Sequence, residues 1–183
     1  MGETVTIGRA LTIEGMMDEP DLLWLGEQAQ TRNVIVEVGS YLGRSTRALA
    51  DNTSGTVYAI DDWQGPRDFI VPVAPDLKPI IHDWFLANMR ATKGKVVDIN
   101  LDHQHFGNGY RWPYEKPDMV FIDGDHEYIA VKRDIDFWWN LLDEGGLICG
   151  HDASWEGPAT AVIEKFGDKY WWPEGTKIWA ATK

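Results

Sequence analysis

Cysteine is almost missing from this chain. Cys149 is the single one in 183 residues, which excludes an internal disulfide framework and fits a reducing compartment. Its neighbours Leu147 and Ile148 are apolar, so it reads as a small buried hydrophobe and not as a nucleophile. Basic residues are scarce too: 17 Lys and Arg stand against 29 Asp and Glu, for a net charge of −12. Affinity for a phosphate backbone comes from clustered Lys and Arg, so this balance argues against a nucleic-acid partner. No stretch is long and apolar enough to span a bilayer. Residues 1–7 lack the basic and apolar regions of a secretory signal, and Gly2 followed by Glu3 offers no acylation context. The expectation is a soluble, cytoplasmic protein with no membrane partner. Absent as well is the G-x-G-x-x-G turn that cradles a dinucleotide pyrophosphate.

What is present centres on residues 33–47. Val34, Ile35, Val36 and Val38 have the density of a strand buried on both faces, with Glu37 as the odd residue. Gly39 and Gly43 then bracket a short turn, and residues 45–50 have the composition of a helix beginning at once. A strand, glycine turn and helix expose backbone to a ligand and aim the first free N–H groups of the helix at it. A ligand site is therefore expected at the carboxyl end of the strand. Glu37 would repel a phosphate but suit a cation or a ribose hydroxyl. A second strand over 56–60 ends in Asp61, Asp62 and Trp63, where a carboxylate is placed to accept two ribose hydroxyls. Asp61 is the first choice and Asp62 the second.

The length suits one domain spanning 1–183. Residues 1–16 read as an extended arm, 17–31 as a leading helix capped by Asp18 with Pro20 in its first turn, and 33–183 as the sheet core. Met16, Met17 and Trp24 are read as packing residues, with closure over a ligand as the alternative. A proline-rich rim loop over 64–79, a helix over 80–92 and a strand over 95–99 follow. His103 and His105 read as loop surface. A strand over 119–122 ends in Asp123, Asp125 and His126, and a helix with Tyr128, Val131, Ile135, Trp138 and Leu142 at steps of three and four succeeds it. Gly145 and Gly146 stop that helix before a strand over 147–150, which ends in His151 and Asp152. A helix over 159–166 and a hairpin of 170–172 with 176–180 close the chain. Trp63, Trp112 and Trp155 fall on rim loops, placed to stack on an acceptor.

The run Glu37-Val-Gly-Ser-Tyr-Leu-Gly-Arg-Ser-Thr46 resembles the first motif of class I S-adenosylmethionine-dependent methyltransferases. The blocks 118–128 and 141–152 resemble the small O-methyltransferase-like branch, which includes macrocin and catechol-type enzymes. With 85–89, Phe166, Gly167 and Trp179, the likeness covers most of residues 15–180. It implies an α/β, Rossmann-like methyltransferase fold: a mostly parallel seven-stranded sheet, helices on both faces and an antiparallel last strand. It further implies S-adenosylmethionine held around Glu37, Gly39, Ser40, Tyr41, Gly43, Ser45, Asp61, Asp62, Trp63, Asp102 and Asp123, with Asp102 toward the adenine. By the same likeness Asp123, His151 and Asp152 stand where several members hold a divalent cation, and His126, with Asp123, stands where a base would act. Histidine at 151 departs from the usual acid, a donor set that suits Mn²⁺, Fe²⁺ or Zn²⁺ better than Mg²⁺; metal and metal-free readings both stay open. The implied activity is O-methylation of a small molecule. A metal-dependent oxygenase using His126, His151 and an acid is one alternative, a non-catalytic cofactor-binding module the other. A homo-oligomer stays open.

Overall fold

The computed structural model describes residues 3–65, 78–107 and 109–183. The sheet is built outward from β1 (Val34–Val38). Side chains alternate across a strand, so Ile35 enters one apolar cluster while Val36 and Val38 enter another. β1 pairs in parallel with β2 (Thr56–Asp61), which pairs with β3 (Lys95–Asn100). On its other side β1 pairs in parallel with β4 (Met119–Ile122), which pairs with β5 (Leu147–Gly150). β6 (Tyr170–Trp171) and β7 (Trp179–Thr182) complete the order β3-β2-β1-β4-β5-β7-β6, with β7 antiparallel to both its neighbours. The chain first adds strands on one side of β1 and then on the other. A crevice therefore opens at the carboxyl ends of β1 and β4.

Helices cover both faces, as the burial of β1 demands. On one, α1 (Glu19–Ala29) and α2 (Arg44–Asn52) contribute Leu22, Leu25, Ala48 and Leu49 to the first cluster. α3 (Lys78–Asn88) sets Ile81 and Phe85 against Leu42, Ala59 and Trp63. On the opposite face α4 (Tyr128–Leu141) and α5 (Glu156–Phe166) supply Val131, Ile135, Trp138 and Val162. Cys149 is fully buried and burial pushes its thiol pKa up, as expected of a core hydrophobe. No helix of the described residues is long and apolar enough to cross a membrane.

Several boundaries differ from the sequence pattern for physical reasons. The arm is not wholly extended: a 3-10 turn at Ala10–Thr12 buries Ala10, and Ile7 and Ile13 are buried on either side. The leading helix is shorter than 17–31, and α3 begins and ends earlier than 80–92. α5 begins three residues before the expected start because Pro158 sits in its first turn, where a missing N–H costs nothing. The last strand starts at Trp179 instead of residue 176, since the Lys177 backbone is already engaged. Its N–H donates to Asp21 and its carbonyl accepts the Ala153 N–H. The rim-loop reading of 64–79 lies outside the described residues for 66–77.

Candidate active site

The turn after β1 is built by its two glycines. Gly39 and Gly43 have φ of +88° and +89°, the left-handed region that glycine enters freely. A Cβ on Gly39 would lie 2.2 Å from the Asp123 carbonyl oxygen, and one on Gly43 would lie 2.5 Å from the Met89 side chain. The glycines thus let the end of β4 and the residue after α3 close onto the turn. Glu37 lies beneath it, 0 % exposed, accepting the hydroxyls of Ser40 (2.8 Å) and Thr46. Its place there comes from strand alternation, which turns it away from Val36 and Val38. Burial raises its pKa to about 6, held back by hydrogen bonds from Ser45, Thr46 and Ser40.

Asp61 closes the turn from β2. Its Oδ2 accepts the Tyr41 N–H at 2.8 Å and its Oδ1 accepts the Trp63 N–H at 2.6 Å. A carboxylate offers about four lone-pair directions, so acceptor capacity remains for a ligand. Burial raises its pKa, with those two N–H groups opposing. The donors come from residues in strained backbone: Tyr41 and Trp63 have φ of 45° and 49°. Asp152 shares this state, with φ 52°. Left-handed non-glycine residues persist where surrounding structure holds them, often at functional sites.

Across the switch point, the ends of β4 and β5 bring together two imidazoles and two carboxylates. His126 Nε2 lies 2.8 Å from Asp152 Oδ2, and the Trp155 indole packs over the His126 ring at a centroid distance of 4.7 Å. His151 is nearly buried, its Nδ1 3.2 Å from Asp152 Oδ2 and its Nε2 3.4 Å from Asp21 Oδ2. Burial alone would lower the His151 pKa; the hydrogen bonds to Asp152 and Asp21 outweigh it and push the value up to about 10. Burial likewise opposes the shift of Asp152, whose bonds to His126 and His151 hold it well below the usual carboxylate range. Asp123 has weaker support, its Oδ1 3.8 Å from His151 Nδ1. Burial, opposed by His151 and reinforced by the Asp152 charge, pushes it up to about 7.

Asp61, Asp123, His126, His151, Asp152 and Trp155 line one cavity of about 510 Å³. Of the residues expected at a cofactor, Gly39, Ser40, Tyr41, Ser45, Asp61, Asp62, Asp102 and Asp123 line it. Glu37, Gly43 and Trp63 do not: Glu37 is under the turn, Gly43 is packed by α3, and Trp63 is buried. The Trp63 indole stacks on His82 at 4.1 Å and donates to the Tyr41 carbonyl. Trp112 packs edge-on against Tyr58 and Trp138, and Trp24 against the core, so of the three rim tryptophans Trp155 alone lines the cavity. Met16 and Met17 line it as well.

The cation set also changes. Asp123, His126 and Asp152 place one donor atom each within 4.8 Å of one another. His126 belongs to this group; His151, expected there from the sequence, lies 3.2 Å from Asp152 Oδ2 and 3.8 Å from Asp123 Oδ1 and is also held by Asp21 at its other nitrogen. Two carboxylates and an imidazole fit a divalent ion with mixed oxygen and nitrogen preference, such as Mn²⁺ or Fe²⁺. Two contributors escaped the sequence reading. Arg44 donates to the carbonyls of Met17 (2.9 Å), Ile13 (2.6 Å) and Leu11 (3.3 Å), drawing the arm to the cavity. Asp21 reaches His151 from α1; the one signal for it was an acid three residues after Asp18, which reads as a capping pair.

Comparison with known proteins follows the same lines. Residues 36–153 match a family described as a methyltransferase domain. An O-methyltransferase from Bacillus cereus, solved in complex with S-adenosylhomocysteine, superposes with a TM-score of 0.61 at 18 % identity, over 95 % of this chain and 86 % of that one. A S-adenosylmethionine-dependent O-methyltransferase from Thermotoga maritima gives 0.67 at 14 % identity, over 97 % and 70 %. TomG from Streptomyces achromogenes, an O-methyltransferase of tomaymycin synthesis solved with S-adenosylmethionine, gives 0.64 at 12 % identity, over 98 % and 87 %. The superpositions establish a shared Rossmann-like fold. The family match spans well over half of the chain and runs from β1 to just past Asp152, taking in both the glycine turn and the acid and imidazole cluster: the chain belongs to the methyltransferase-domain family.

Proposed function

We propose that the chain transfers a methyl group from S-adenosylmethionine to an oxygen of a small acceptor molecule. The observation that carries this is one cavity bordered both by Asp61 and by the Asp123, His126 and Asp152 cluster. Its volume of about 510 Å³ lies inside the range of about 300–1,000 Å³ typical of small-molecule sites. The three structural relatives described above, each an O-methyltransferase and two of them solved with this cofactor or its product, support the reading. The excess of acid in the chain favours a small acceptor over a nucleic acid.

When bound, S-adenosylmethionine supplies an electrophilic methyl group on a sulfonium. The chain's own residues do the rest. Asp61 keeps acceptor capacity toward the cavity for the hydroxyls of a ribose. His126, beside the ionised Asp152, takes the acceptor's proton, and Asp152 stabilises the imidazolium that forms. The walls of the cavity would hold the acceptor in line with the methyl group. If a divalent cation binds, Asp123, His126 and Asp152 would hold it, and it would polarise the acceptor oxygen. The oxygenase alternative needs two imidazoles and one carboxylate on the metal, whereas the cluster here offers one imidazole and two carboxylates.

Isothermal calorimetry with S-adenosylhomocysteine, followed by labelled methyl transfer to a panel of phenols and sugar alcohols with Mn²⁺ or chelator, tests the proposal. The expected result is saturable product binding and label on acceptor oxygen. Absence of binding at high micromolar ligand overturns it.

A further inference from the structure

We infer that Asp21 is a positioning residue: acting through His151, it sets where the Asp152 carboxylate lies against His126. The inference rests on the transfer site described above and extends it to a residue outside the cavity. Asp21 occupies the third position of α1 and is 1 % exposed. Its Oδ1 accepts the Lys177 N–H at 2.8 Å; its Oδ2 accepts the Asp18 N–H at 3.3 Å and lies 3.4 Å from His151 Nε2, a partner 130 residues away. His151 in turn directs Nδ1 at Asp152 Oδ2 (3.2 Å), with Asp123 Oδ1 at 3.8 Å. Asp152 Oδ2 lies 2.8 Å from His126 Nε2. Carboxylate, imidazole, carboxylate and imidazole thus run in series from the start of α1 to the residue beside the expected acceptor.

Helix capping does not account for this arrangement. An exposed carboxylate at the same position would cap α1 as well, and burying one costs several kcal/mol unless it is paired. The pairing has a geometric consequence. The two nitrogens of an imidazole flank one carbon of a rigid planar ring, at a fixed angle to each other, so holding Nε2 on Asp21 restricts the direction of the Nδ1–H bond. Asp152 needs such a hold, since its backbone is in the left-handed region. Lys177 joins the same carboxylate through its backbone, which ties the β6–β7 connection to α1. Outer partners of this kind orient the groups that perform chemistry.

The test is long-range proton–nitrogen NMR of the imidazole rings in the full chain, comparing wild type with Asp21→Asn. The amide keeps the side-chain volume and an oxygen for the Lys177 N–H, but turns an NH₂ toward His151 Nε2. The expected result is a shift in the ring-nitrogen resonances of both His151 and His126, with a dispersed amide spectrum showing that the fold is kept. Movement of His151 alone, or of neither ring, overturns the inference. Should Asp21→Asn not fold, His151→Gln gives the same reading at His126. Calorimetry with S-adenosylhomocysteine on the same samples separates the two ideas. Loss of binding in wild type and variant, with both rings shifted, refutes the transfer reading and leaves the positioning link standing.

Discussion

Replacing Glu37 with Gln distinguishes a carboxyl that holds the turn from one that holds a ligand. Glu37 is wholly buried, its Oε2 accepts the Ser40 and Thr46 hydroxyls, and its Oε1 has no partner among the described residues. Burial raises its pKa from the ordinary 4.5 to about 6, so the folded state grips the proton more tightly than the unfolded chain does. Below pH 4.5 the group is protonated in both states and carries no penalty. Between 4.5 and about 6 the unfolded chain ionises first, so stability falls; above about 6 the loss is constant. At about 1.4 kcal/mol per pKa unit the fall amounts to about 2 kcal/mol. Urea unfolding of wild type and Glu37→Gln from about pH 4 to about pH 8 should therefore show the wild type losing about 2 kcal/mol relative to the variant, a midpoint change of about 0.7–2 M. Affinity for S-adenosylhomocysteine should stay near wild type, because Glu37 does not line the cavity. A difference that does not change with pH, or a tenfold loss of affinity with the fold intact, refutes the reasoning.

Other expectations follow from the same geometry. Asp61→Asn turns an NH₂ toward one of the two backbone N–H groups that Asp61 accepts and weakens its hold on ligand hydroxyls. At about 1.5–3 kcal/mol for a charge-assisted bond, calorimetry should read an affinity for S-adenosylhomocysteine about 10–150-fold lower; an unchanged value removes Asp61 from the cofactor site. Gly39→Ala forces a Cβ into the Asp123 carbonyl and costs about 4 kcal/mol or more. The melting temperature should then fall by at least about 8 °C, and a fall under about 2 °C contradicts the packing role. Arg44→Ala frees three arm carbonyls, so amide exchange of residues 11–17 should quicken while that of β1 does not; equal protection in both proteins would show that the arm is held by other contacts. His126→Gln should lower methyl transfer about 10²–10⁴-fold with product affinity retained, and full turnover with an unaltered pH profile would remove His126 as the base.

The strand ends were legible for a simple reason. A parallel strand covered on both faces must be a continuous apolar run, so Val34–Val38, Met119–Ile122 and Leu147–Gly150 stand out, and the polar residues following each run fall on one rim. Asp61, Asp123, His126 and Asp152, singled out at or just past strand ends, all border one cavity. The same logic misjudged Trp63 and Trp112, because a residue in a loop after a strand can face the cavity or fold back into the core, and nothing in the local pattern distinguishes the two.

The chain's own order of residues thus determined the architecture, the edge of the sheet where the cavity opens, and the acids that reach that edge, since these follow from local periodicity and from the parallel direction of the strands. Tertiary structure decided which side chains meet there. Asp123, His126 and Asp152 bring one donor atom each within 4.8 Å of one another, while His151, also facing Asp152, is held at its other nitrogen by an acid from a helix that precedes the first strand. Glu37 lies under the turn, and Gly39 serves the neighbouring strand, because packing brings distant backbone to within a few ångströms of each. Such proximities are properties of the folded whole, and no spacing within a single stretch records them.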